Sequence, residues 1–222
     1  MTWLASYPKS GNTWLRLMLA RLLQPDVPWS LQLLQAIPID HAPAAATARV
    51  VKTHAQYRPA VHRVAGADVV YLVRDPRDVA LSMAAFYGCT QARAAELLRG
   101  AVLGDGTYLG SWSAHVQGWL DARVCGLVLA FERLRADPVA ALRQVAGVCG
   151  LPAQHAEHVV RECAFDRCRE AEARDGFAEA SPHAPFFRDG RAGQWRTALE
   201  PAVAAEIARD HGRAMWLCGY ED

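Results

Sequence analysis

Residues Val69-Val70-Tyr71-Leu72-Val73 form an unbroken run of β-prone apolar side chains that passes directly into Arg74-Asp75-Pro76-Arg77-Asp78. A run with no polar alternation fits a strand covered on both faces, as in the centre of a parallel sheet. The polar pentapeptide has the marks of a helix start. Asp75 can cap, Pro76 suits the first helical position, and Asp78 favours the positive end of the helix dipole. The pattern predicts a strand over 67–73 and a helix from there to 87. A buried strand feeding straight into a helix restricts the chain to alternating β and α units. Their sheet is parallel, and ligands bind at the carboxyl ends of its strands.

The same order recurs along the chain. Residues 3–6 are a short apolar run halted at Tyr7-Pro8, and 13–23 carries Trp14, Leu15, Met18, Leu19 and Leu22 at helical spacing. Residues 49–53 read as a buried strand ending at His54, and 126–131 as another short strand. Further helices are expected at 91–98, 111–122, 138–149, 153–162 and 201–217. The stretch 29–48 is apolar but broken by prolines and has no clear period. Residues 169–187, polar and carrying Gly, Ser and two prolines, read as a loop or partly mobile cap. No repeat or linker divides the chain, so 1–222 is expected to be one α/β domain. The polar segments 9–12, 52–54 and 74–78 accompany strand ends and should converge on one edge of the sheet.

Composition narrows the function classes. With 52% hydrophobic residues and a formal net charge of +1, the 222-residue chain is neither disordered nor a general nucleic-acid binder. Arg16 and Arg21 interrupt the longest early apolar run, so no membrane span is expected. Cys89, Cys125, Cys149, Cys163, Cys168 and Cys218 form no C-x-x-C pair, and strand-like residues begin close to Met1, so no secretory signal peptide is expected. Reduced thiols and a cytoplasmic setting are the expectation. Of 24 Lys and Arg residues only Lys9 and Lys52 are lysines, which makes their positions informative.

Tyr7-Pro8-Lys9-Ser10-Gly11-Asn12-Thr13-Trp14 has the parts of an anion cradle. Gly11 permits a backbone that aims amide N–H groups inward, and the following helix presents free N–H groups and a positive dipole end. Lys9 adds a full charge; Ser10 and Thr13 add hydroxyl donors. The G-x-x-x-x-G-K-[ST] pattern of a Walker A loop is absent, since the lysine precedes the glycine. Taken alone, the segment also fits an ordinary strand-to-helix turn.

The octapeptide resembles the 5′-phosphosulfate loop of PAPS-dependent sulfotransferases, where PAPS is 3′-phosphoadenosine-5′-phosphosulfate. The rest of the chain agrees in the family's order. Val51-Lys52-Thr53-His54 is similar to the family's Lys-Thr-His segment, and the run from Val70 to Ser82 to its 3′-phosphate-binding strand and helix. Trp112, His115, Val116 and Trp119 follow its Trp-His-Val-Trp helix. Arg188-Asp189-Gly190-Arg191-Ala192-Gly193-Gln194-Trp195 follows its C-terminal Arg-Lys-Gly…Gly-Asp-Trp loop. The Asn-Thr-Trp-Leu-Arg variant at 12–16 is also similar to bacterial antibiotic-tailoring members.

The resemblance implies a three-layer, P-loop-like α/β fold with a central parallel sheet flanked by helices. It implies PAPS as sulfonate donor, PAP (adenosine 3′,5′-bisphosphate) as product, no metal, and a small-molecule hydroxyl acceptor. His54 is the implied base, Lys9 lies beside the bridging oxygen of the leaving nucleotide, and Lys52 lies across the sulfonate. Lys9, Ser10, Gly11, Asn12, Thr13 and Trp14 fall in the 5′ loop. Arg74, Ser82, Arg188, Asp189 and Gly190 fall to the 3′-phosphate, where an arginine fork suits phosphate. Trp14 and Phe131 are candidates to flank adenine, with a core role open for both. Trp29, Phe86, Tyr87, Tyr108, Trp112, Phe177, Phe186 and Phe187 lie in or near segments placed to line an apolar or aromatic acceptor pocket, or to fill the core. His41, His155, His158 and His211 are read as structural.

There are departures from the family pattern. Asn12 stands for a threonine, Phe131-Glu132-Arg133 for Tyr-Glu-Asp, and Asp189 for a basic residue that Arg191 offsets. The dimer motif Lys-x-x-x-Thr-Val-x-x-x-Glu does not follow Trp195, so the sequence specifies neither monomer nor dimer. Two rivals stand beside the sulfotransferase. A nucleotide kinase or other phosphotransferase would need Mg²⁺ on a carboxylate such as Asp75 or Asp78. A silent nucleotide-binding protein would have no use for Lys9, Lys52 and His54.

Overall fold

The computed structural model describes residues 1–40, 47–63, 66–103, 106 and 109–220. Its centre is a four-stranded parallel sheet of β1 (Thr2–Ser6), β2 (Val50–Thr53), β3 (Asp68–Val73) and β4 (Leu127–Ala130), in the order β2-β1-β3-β4. The register pairs Leu4 with Lys52 on one side and with Val70 on the other, so all four strands run out at the same edge.

The sheet is covered on both faces, and the pleat divides its side chains between two cores. Leu4, Val50, Val70, Leu72 and Leu129 face α1 (Asn12–Leu23), α7 (Pro138–Val148), α8 (Ala156–Glu162) and α9 (Phe165–Asp175). Trp3, Ala5, Val69, Tyr71 and Val73 face α3 (Pro76–Tyr87), α4 (Gln91–Leu98), α5 (Trp112–Asp121) and α11 (Pro201–Leu217). Short helices α2 (Pro59–His62), α6 (Phe131–Ala136) and α10 (Trp195–Ala198) complete the connections, with a 3-10 turn at Leu31–Ala36 inside the apolar 29–48 stretch. The start of α3 is built as its sequence predicts. The Asp75 side chain accepts from the Arg77 backbone N–H, and Pro76 opens the helix.

Three expectations need correction. The stretch expected to be irregular from 169 is helical as far as Asp175, because Cys168 and Ala171 bury one narrow stripe while Glu172 accepts from the Phe186 and Phe187 N–H groups. The strand expected over 126–131 stops at Ala130, and Phe131 opens α6. The helix expected from 153 begins at Ala156. His41 and Tyr108 lie outside the described residues. His211 is buried and its Nδ1 lies 2.7 Å from Ser113 Oγ. All six cysteines are free.

Candidate active site

Each strand end delivers a residue to one cavity of about 630 Å³, lined among others by Lys9, Lys52, His54, Arg74 and Phe131. From β1 the chain turns through Lys9 (φ 66°) and Gly11 (φ 94°), both left-handed. Glycine is required at 11: a Cβ there would lie 2.4 Å from the Phe131 ring. Asn12 braces the loop from behind, its Nδ2 donating to Ser6 Oγ at 3.1 Å and to the Leu4 carbonyl at 3.3 Å. Its side-chain donor is therefore turned away from the cavity. Among the described residues no side chain caps the first turn of α1, and Ser10 Oγ is buried without a partner. Uncapped N–H groups and an unpaired hydroxyl are what an anion of the phosphosulfate type would satisfy.

Lys9 Nζ lies 3.5 Å from the centre of the Phe86 ring and 4.4 Å from that of Phe186. Burial, with Lys52 and Arg74 nearby, brings its pKa down to about 7. Lys52, in β2, is lowered chiefly by burial, with Arg16 adding to it. His54 follows β2. Its Nδ1 lies 2.8 Å from the Ser6 carbonyl oxygen, which can only accept, so Nδ1 carries the proton and Nε2 the lone pair. Burial first and Lys52 second hold the imidazole neutral, with a pKa of about 3.

Arg74 leaves β3 almost fully buried, so a surface ion pair is not its role. It donates to the carbonyls of Lys9 (3.3 Å) and Arg191 (3.1 Å), lies over Phe131 at 4.4 Å, and keeps Nε unpartnered. Asp78 holds the C-terminal loop: it accepts from the N–H groups of Gly193 (2.7 Å) and Trp195 (2.9 Å) and lies 3.7 Å from Arg74 Nη2. Arg188, Asp189 and Gly190 reach the cavity with Ser82. Gly190 has φ 66°, and a Cβ there would lie 2.4 Å from the Phe165 ring. Asp189 is paired with Arg191 at 2.6 Å, so the acidic departure at 189 is offset locally.

The expected site residues therefore come together except Ser10, which is fully buried and does not line the cavity, and two refinements apply to the others. Trp14 and Phe131 line the cavity and belong to the core at once; Trp14 Nε1 donates to the Cys163 carbonyl at 2.7 Å. Of the acceptor candidates, Phe86, Tyr87, Phe186 and Phe187 line the cavity. Trp112 is fully buried beneath the other face, and Trp29 and Phe177 pack on the core. The sequence reading misses Glu179, whose carboxylate reaches Thr13, Arg16 and Lys52. Arg16, a charge set between Leu15 and Leu17, is the visible signal that an anion lies near.

Among relatives, dog sulfotransferase 1A1 is 25% identical over 97% of this chain and 83% of its own length. Mouse sulfotransferase 4A1 is 27% identical over 97% and 80%. Among solved structures, mouse sulfotransferase SULT7A1 complexed with PAP superposes with a TM-score of 0.68 at 24% identity, covering 99% of this chain and 88% of that one. Retinol dehydratase in complex with retinol and PAP superposes at 0.69 and 18% identity, covering 96% and 80%. A family model described as the sulfotransferase domain matches residues 1–219. The chain belongs to the sulfotransferase domain family.

Proposed function

We propose that this chain transfers a sulfonate from PAPS to a hydroxyl of a small-molecule acceptor, with His54 as base and Lys9 and Lys52 stabilising the phosphosulfate. The observation that carries the reading is the convergence of Lys9, Lys52, His54 and Arg74 from three adjacent strand ends on a single cavity. In-line transfer forms a bond from acceptor oxygen to sulfur as the bond from sulfur to the 5′-phosphate oxygen breaks. His54 Nε2 takes the hydroxyl proton, and the neutral state of the ring suits that task. Positive charge beside the leaving phosphate stabilises the oxygen on which negative charge grows. Lys9 supplies that charge, since an anionic donor favours its protonated form.

Arg74, Ser82 and the 188–190 segment are assigned to the 3′-phosphate, and the first turn of α1 with Ser10 and Thr13 to the 5′ side. Phe86, Tyr87, Leu109 and Phe186 make the acceptor wall apolar and aromatic. The free cysteines suit a reducing cytoplasmic setting. A kinase reading is disfavoured because the carboxylates it needs are engaged, Asp75 by Arg77 and Asp78 by the C-terminal loop. Thermal-shift titration with PAP, PAPS and ATP, each with and without Mg²⁺, tests the reading. Stabilisation by PAP and PAPS without Mg²⁺ is expected, followed by transfer from PAPS to a panel of phenols. Preference for ATP with Mg²⁺ over PAP refutes it.

A further inference from the structure

A carboxylate sits among the cations of the cavity. Glu179 Oε2 accepts from Thr13 Oγ1 at 2.9 Å and lies 3.9 Å from Lys52 Nζ, while Oε1 pairs with Arg16 Nη2. Burial pushes this carboxyl up, but Lys52, Arg16 and the hydrogen bonds from Arg16 and Thr13 outweigh it and hold the group below the usual carboxylate range. Two of its three partners are groups that the proposed function gives to the donor. The third, Arg16, is 3% exposed, and its Nε and Nη1 are buried without partners. A guanidinium can grip a carboxylate through two parallel bonds, so part of the Arg16 fork is unused.

We propose that Glu179 is an internal counter-ion that fills the anion position between Thr13 and Lys52 in the free enzyme, and that donor binding shifts its carboxylate wholly onto Arg16. The inference rests on the PAPS reading of the site. A phosphosulfate and this carboxylate carry the same sign and need the same donors, so they cannot share them. Arg16 lets the carboxylate withdraw without becoming a buried, unpaired charge. It is a positioning residue: it touches neither substrate and determines where Glu179 goes.

Calorimetric titration with PAP, whose 5′-phosphate needs Thr13, tests this in wild type, Glu179→Gln, Arg16→Gln and the double variant. Glu179→Gln is isosteric and removes the competing charge, so PAP should bind about tenfold tighter while the ligand-free protein melts at a lower temperature. Arg16→Gln strands the carboxylate on the donor's groups and should weaken PAP about tenfold or more, with recovery in the double variant. A merely structural ion pair would lower stability and affinity together in Glu179→Gln, and the double variant would not recover. Either result overturns the inference. Should Arg16→Gln not fold, the opposed signs in Glu179→Gln carry the test alone. Wild type that fails to bind PAP refutes the sulfotransferase reading as well. Wild type that binds PAP, with Glu179→Gln unchanged, refutes only the counter-ion.

Discussion

Acidification should destabilise this protein through histidines buried on the α5 side of the sheet. His115 is wholly buried, its Nδ1 2.9 Å from Tyr71 Oη, and burial brings its pKa down to about 4. His211, 3% exposed, is likewise brought to about 4 by burial. The ordinary value in the unfolded chain is about 6.5. Below that value the unfolded chain binds protons that the folded one refuses, so stability falls as pH drops from 6.5 towards 4. At pH 5 each histidine costs about 2 kcal/mol relative to neutral pH, or about 4 kcal/mol for the pair, against a typical total of about 5–15 kcal/mol. His62, buried against Trp119 and lowered chiefly by burial, and His54 work in the same direction; His54 faces the cavity, so its share is smaller. Glu132, whose carboxyl is raised chiefly by burial, works in the opposite sense in the lower part of the window. Urea unfolding followed by tryptophan fluorescence at pH 7.5, 6 and 5 measures the sum. His211→Gln should remove about 2 kcal/mol of the loss. An unfolding free energy that changes by less than about 1 kcal/mol from pH 7.5 to 5 would refute the reasoning, because two buried neutral imidazoles cannot be silent there.

Other expectations bear on the site. His54→Ala should lower kcat by roughly 10²–10⁴-fold with PAP affinity nearly unchanged, read by steady-state transfer from PAPS and by calorimetry. Full activity in that variant would remove His54 as the base. Gly11→Ala forces a side chain into φ 94° and onto Phe131, so urea unfolding should show a loss of about 1–3 kcal/mol and calorimetry weakened PAP binding. Asp78→Ala frees the Gly193 and Trp195 N–H groups and leaves Arg74 without its carboxylate. PAP should bind at least about tenfold more weakly, and hydrogen exchange in residues 188–195 should accelerate.

The edge of the sheet that carries the site is legible because its parts are local. Val69–Val73 reads as a buried strand from its own side chains, and Asp75-Pro76 marks the helix behind it, so Arg74 must sit at a strand end. Pro138 and Pro201 mark the starts of α7 and α11 in the same way. The helix at 165–175 is hidden because its charged residues surround a buried stripe of two small side chains, Cys168 and Ala171, which leave little apolar period to detect. Glu179 is hidden for a different reason. Its partners Thr13 and Arg16 lie 166 and 163 residues away, and no local pattern distinguishes that glutamate from a solvated one. The brace by Asp78 of the Gly193–Trp195 turn is equally non-local, although the helix-start role of its neighbourhood is plain in the sequence.

All four strands of the sheet end on a cavity residue or lead straight into one: the Lys9 loop after β1, Lys52 and His54 at β2, Arg74 after β3 and Phe131 after β4. No strand of this sheet is spare, so it cannot be shortened without removing a wall of the cavity. Growth and specialisation have to enter through the connections. The 176–187 segment is the natural place for a graft, since it lines part of the cavity without belonging to any strand or to the turn that Asp78 ties down. Such a graft would have to keep Glu179 and Phe186, because that carboxylate reaches Thr13, Arg16 and Lys52 and that ring lies 4.4 Å from Lys9 Nζ.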